Sequence, residues 1–159
     1  MRSSLRLFAL PPADQAHRLA WLARTIPQLP GTGVVYCLTI GDTYRVADWL
    51  RSKRIDAIAY SADLSAEQRV AAEQSLLENR CKALVATVAL GMGFDKPDLG
   101  FVIHFQRPGS VVAYYQQVGR AGRAVDSAYG VLLCGDEDDE IAEHFVRTAF
   151  PSVTLMRDV

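Results

Sequence analysis

The chain has no phosphate-cradling motif of the form GxxxxGK[ST], no CxxC pair and no long apolar run. The first absence removes the backbone N–H groups and the lysine with which a nucleotide-hydrolysing domain holds the β- and γ-phosphates, so unaided triphosphate hydrolysis is not expected of this chain. The second, together with only three widely spaced cysteines (Cys37, Cys81 and Cys134), argues against a disulfide framework and against a zinc site. A reduced, cytoplasmic setting is expected. No apolar stretch reaches the roughly 18 residues of a membrane span, and the opening MRSSLRLFALPPADQ lacks the core and cleavage pattern of a signal peptide. A soluble protein with no membrane partner is expected. Charge of one sign is lacking too: 17 Lys and Arg stand against 18 Asp and Glu, a net charge of −1. Any contact with nucleic acid must therefore be local, because no global basic field supports it.

What is present is enough for one domain. The chain has 159 residues, half of them hydrophobic, which can bury most of the surface an unfolded chain would expose. Residues 1–150 read as that domain, and 151–159 as a tail or the start of a linker. An apolar run at 5–10 ends at Pro11 and Pro12, and Asp14 stands as the N-cap of a helix to about Thr25. After the breakers of TIPQLPGTG come a strand at 33–38, a helix at 43–54, a strand at 55–60 and a helix at 65–79. Continuous apolar runs at 83–87 and 101–105 read as buried parallel strands. A helix at 110–117, a strand at 130–134 and an amphipathic helix at 138–148 complete the series. Strands alternating with helices about six times imply an α/β, doubly wound, mainly parallel sheet with helices on both faces. In such sheets functional residues gather in loops at the carboxyl ends of the strands.

Two segments carry chemistry. QQVGRAGR (116–123) sets Arg120 and Arg123 three apart around a small residue and a glycine. Paired guanidiniums suit the oxygens of a triphosphate whose γ-phosphoryl charge is spreading, while Gly119 and Gly122 let the backbone come close. ALVATVALGMGFDKPD (83–98) delivers Thr87 from a buried strand into a loop holding Gly91, Gly93 and Asp95. Small residues there let backbone N–H groups face a phosphate, a threonine hydroxyl can bond one, and an aspartate can hold a ribose hydroxyl. Taken alone, each segment also reads as an ordinary helix end or a tight turn.

Together with GVVYCLT (33–39), these segments resemble motifs IV, V and VI of superfamily-two helicases. The wording GMGFDKP followed by YYQQVGRAGR is similar to the RecQ family of ATP-dependent DNA helicases, over about residues 2–150. The resemblance implies the C-terminal RecA-like half of a motor that closes on ATP and steps 3′ to 5′ along one strand, in a setting of DNA repair or recombination. Arg123 would be the arginine finger, Arg120 its neighbour on the same ATP, and Gln116 the link between nucleotide state and the domain interface. Asp95 would lie near the nucleotide sugar beside Gly91 and Gly93. Thr39 and Thr87 would hold the DNA backbone, and Arg69 would brace the motif V loop and the strand. ATP would come with Mg2+ held by the N-terminal RecA-like half, and the partners would be single-stranded DNA or a duplex fork and that half. Two stretches depart from the family pattern: Ala124 and Val125 follow GRAGR in place of Asp-Gly, and YSADL (60–64) replaces YHAGL. A divergent branch is implied.

Other readings remain open: a freestanding nucleic-acid or protein-binding module with no motor, and a Rossmann-like transferase using GMG as its ligand loop. GDEDDE (135–140) comes after an apolar strand and imitates a magnesium-holding acidic box, but it stands behind the arginine motif and is expected to be a turn and helix cap. His17, His104 and His144 have no ligand partners at metal spacing, so no metal site is expected. Trp21 and Trp49 are expected to pack helix on sheet, and Tyr114 and Tyr115 to set the angle of their helix.

Overall fold

The computed structural model describes residues 3–87, 95–135 and 138. Six strands form one parallel sheet in the order β1-β6-β5-β2-β4-β3: β1 Leu5–Ala9, β2 Gly33–Tyr36, β3 Ala57–Tyr60, β4 Ala83–Ala86, β5 Phe101–His104 and β6 Ala128–Leu132. Every pairing is parallel. The expected α/β doubly wound architecture is what the chain adopts. β2, β4 and β5 are buried at all four positions, which is why they read as unbroken apolar runs rather than alternating ones.

Helices cover both faces. On one, α1 (Gln15–Thr25) and α2 (Ile40–Ser52) set Leu22, Val46, Ala47 and Leu50 against Val35, Val85, Ile103 and Phe105. On the other, α3 (Ala66–Leu77) and α4 (Val111–Val118) set Ala72, Leu76 and Val118 against Val34, Leu84, Val102 and Ala128. Trp21 and Trp49 pack on the first core as expected, and Trp49 Nε1 donates to Leu19 O at 2.8 Å. Tyr114 packs on the second core. Tyr115 does not; it is 53% exposed, because it falls on the outward side of α4.

Local chemistry explains the element starts. Asp14, Thr39, Ser65 and Ser110 cap the four helices by accepting from the backbone N–H three residues on, and Ser65 with Gln68 forms a reciprocal capping box. α2 therefore begins at Ile40, three residues before the expected Thr43. β6 starts at Ala128, two residues before the expected Gly130, because Ala128 and Tyr129 pair with Leu5 and Arg6 of β1. A 3₁₀ turn at Ile26–Gln28 occupies the segment expected only to break the chain. The close passage of Pro30 over Gly100, whose added Cβ would meet Pro30 O at 1.9 Å, excludes any side chain there. The expected helix at 138–148 beyond Asp138, the loop glycines Gly91 and Gly93, and the tail at 151–159 lie outside the described residues.

Asp138 is fully buried. Its Oδ2 accepts from Gly135 N at 3.0 Å and Arg107 N at 3.1 Å, and Oδ1 lies 3.6 Å from Arg18 Nη1. Arg18, 1% exposed, donates to Phe105 O at 2.7 Å and sits 4.7 Å over the Phe105 ring. The member of the acidic run that is described thus ties α1, the end of β5 and the end of β6 together, which agrees with its reading as a turn cap.

Candidate nucleotide and nucleic-acid sites

The sheet reverses its winding between β2 and β5. From β2 the chain crosses to one side through α2, and from β5 to the other side through α4, so the crevice above their carboxyl ends is the place where a doubly wound sheet takes a ligand. Thr39 lies just beyond β2 there, Thr87 just beyond β4, and Arg69 in the first turns of α3 after β3. Thr87 is 7% exposed. The Arg69 charge acts on Tyr60, whose phenol is pushed up to about 12, first by burial and then by its hydrogen bond to Glu73, against the pull of Arg69.

The residues expected at a nucleotide lie elsewhere. Gly122 N donates to Leu99 O at 3.1 Å and Ala124 N to Pro97 O at 2.7 Å, which fastens the 122–124 turn to the segment entering β5. Asp95 precedes that segment, and Arg123 pairs with its carboxylate. Thr39, Thr87 and Arg69 thus lie at the carboxyl ends of the strands, where functional residues were expected to gather, and Asp95 and Arg123 lie away from them. The cause is that α4 runs back along β5 and delivers the arginine turn to the amino end of the sheet. Gly122 has φ +79°, a left-handed conformation that glycine adopts without steric cost.

Arg123 and Asp95 keep side-chain exposures of 32% and 58%, so this ion pair is accessible and cheap to exchange for another anion. Arg120 is half-buried. Burial pushes the Tyr36 phenol up to about 12 against the opposing field of Arg120, which puts that guanidinium in electrostatic reach of the end of β2. Gln116 lies exposed on the outward side of α4, with Val112 and Tyr115. An accessible guanidinium paired with an exposed carboxylate can stabilise a polyanion presented from outside. Among the described residues no group of three or more His, Cys, Asp or Glu is placed to hold a metal ion.

Two further side chains support these positions, the first of them passed over by sequence reasoning. Lys96, 2% exposed, donates to Asn79 Oδ1 and to Asp98 Oδ1, each at 2.8 Å. It anchors the residue next to Asp95 to the end of α3, and a lysine in a polar KPD stretch gives no sign of burial. His104 is buried, stacks on Tyr36 with ring centroids 5.4 Å apart, and Nε2 lies 2.7 Å from Gln117 Oε1. It is a buried, hydrogen-bonded structural residue.

Burial pushes the His104 imidazole down to about 4, and the Gln117 bond opposes the fall. With an unfolded value near 6.5, the unfolded chain binds the proton that the folded one refuses, so stability is complete above about pH 6.5 and is lost as pH falls toward 4. Between pH 7 and pH 5 the loss is on the order of 2 kcal/mol from this residue. Urea unfolding of the chain and of His104→Gln at both pH values checks it: the variant's stability should change far less over that interval, and equal slopes would refute the assignment.

Comparison with known proteins shows the family and the fold. Residues 18–125 match the helicase conserved C-terminal domain. The chain belongs to that family, within the superfamily-two helicases. The RecQ-like DNA helicase blm-1 of Caenorhabditis elegans is 37% identical over 140 residues, 87% of this chain and 14% of that protein. A mimivirus protein from Acanthamoeba polyphaga mimivirus, named as an ATP-dependent RNA helicase, R290, is 36% identical over 71% of this chain and 21% of its own length. The chain thus spans about a fifth or less of these relatives. The crystal structure of the Escherichia coli DEAD-box protein SrmB bound to RraA superposes with a TM-score of 0.77 at 24% identity, over 95% of this chain and 88% of that one, which shows the shared fold. No described helix is long and apolar enough to cross a membrane.

Proposed function

We propose that the chain is the second RecA-like half of a RecQ-type, ATP-dependent DNA helicase that moves 3′ to 5′ in the cytoplasm. It lends Arg123 as arginine finger, with Arg120 beside it, to an ATP that the N-terminal RecA-like half holds with Mg2+. Asp95, with Gly91 and Gly93 of the same loop, meets the nucleotide on this side, and Gln116 couples its state to the interface between the halves. Thr39, Thr87 and Arg69 hold the DNA strand at the carboxyl edge. The observation that carries the reading is the exposed Arg123–Asp95 pair on a turn fastened by Gly122 and Ala124: two residues 28 positions apart in the chain, each expected at the nucleotide, meet at an accessible surface.

The similarity to R290 favours a second reading, in which the strand is RNA. Unwinding by the assembled enzyme, this chain with its ATP-binding half, separates them. Expected is ATP-dependent opening of a DNA duplex with a 3′ single-stranded tail and none with a 5′ tail. Preference for the matched RNA duplex would install the second reading. A protein that binds tailed DNA but opens nothing with ATP would instead be a binding module without a motor.

A further inference from the structure

The carboxyl end of β5 holds a glutamine that neither motif contains. Gln106 is 1% exposed and both ends of its amide are used: Oε1 accepts from Leu38 N at 2.8 Å, and Nε2 donates to Asp42 Oδ2 at 2.7 Å. That same carboxylate oxygen accepts the Thr39 hydroxyl at 2.9 Å, while Thr39 Oγ1 accepts from Asp42 N at 3.1 Å. Arg45 pairs with the other oxygen, Oδ1. Two residues before Gln106, His104 is bonded to Gln117 of α4, three residues ahead of Arg120. The end of β5 is therefore bonded on one side to the cap of α2 and on the other to the helix leading into the arginine turn.

A threonine hydroxyl has one hydrogen to give. In this structure Thr39 gives it to Asp42; given to a phosphate oxygen instead, it leaves Gln106 as the donor remaining on Oδ2 among the bonds described. We propose that Gln106 is a positioning residue that senses this exchange and couples strand binding at Thr39 to the arginines carried behind α4. The inference rests on the function proposed above and adds to it a residue and a route. Two local states distinguish it from mere proximity: the Thr39 hydroxyl on Asp42, or on the strand. Gln106 and the 122–124 turn lie at opposite ends of β5, so its loss removes no charge from the nucleotide.

The test is steady-state ATP turnover of the assembled enzyme with and without saturating single-stranded DNA. Gln106→Glu keeps the acceptor for Leu38 N and replaces the donor facing Asp42 by an acceptor. The expected result is basal turnover within about twofold of the unsubstituted enzyme and a strand stimulation reduced about fivefold or more, the low end of typical coupling between sites. Gln106→Asn, too short to span both partners, should show the same split if the glutamate variant fails to fold. Stimulation unchanged in folded variants overturns the proposal, as does an equal fall in basal turnover, which marks a general structural role. An unsubstituted enzyme with no strand-stimulated turnover overturns the proposed function itself, and this inference with it.

Discussion

Arg123→Ala in the assembled enzyme is expected to lower the turnover of ATP on the order of a thousandfold or more, while ATP affinity changes only a few-fold. The asymmetry comes from where the side chain sits. It is about one-third exposed and already paired with Asp95, and an exposed pair of that kind contributes about 0–1 kcal/mol. Exchanging the carboxylate for a ground-state phosphate therefore gains little. Charge that accumulates on the γ-phosphoryl oxygens as the bond breaks is what the guanidinium can stabilise strongly, so its contribution appears in the transition state. Arg123→Lys should recover only part of the rate, because an ammonium keeps the charge and loses the planar fork. Single-turnover chemistry and equilibrium binding of a nucleotide analogue, measured separately, check both halves of the expectation. A fall in affinity as large as the fall in rate would assign Arg123 to ground-state binding and refute the finger role.

The number of strands, the parallel sheet, helix placement and most element boundaries were legible because strands buried on both faces leave unbroken apolar runs, as in ALVA and FVIH, and because four helix caps carry Asp, Thr or Ser. The site was legible where glycine and arginine share a short motif. What was not legible depends on the third dimension. Nothing in KPD announces that Lys96 is buried against Asn79 and Asp98. Nothing in the acidic run marks Asp138 as the one whose carboxylate collects Gly135, Arg107 and Arg18. Gln106 lies 64 positions from Asp42, and a bond of that separation is created by the β2–β5 pairing. Arg123 lies away from the carboxyl ends for a similar reason: a short helix antiparallel to its strand carries the arginine motif to the opposite edge.

The purified chain by itself is expected to hydrolyse ATP at no more than background rate, with or without single-stranded DNA. It carries cations able to stabilise a leaving charge, yet the sequence contains no GxxxxGK[ST] loop to grip the phosphates, and no metal-holding group occurs among the described residues. Catalysis of phosphoryl transfer is mostly positioning and charge stabilisation, so two arginines without a held substrate have nothing to act on. Phosphate release at saturating ATP and Mg2+ measures this directly, with Arg120→Ala/Arg123→Ala as the control for contaminating enzymes. DNA-stimulated turnover that disappears in that control would mean the chain holds ATP unaided, and would overturn its reading as half a motor. If the chain is inert, supplying the ATP-binding half as a separate polypeptide should raise turnover in proportion to the fraction bound. That gain should vanish with Arg123→Ala, since the second half's contribution to the chemistry is then reduced to a surface without its charge.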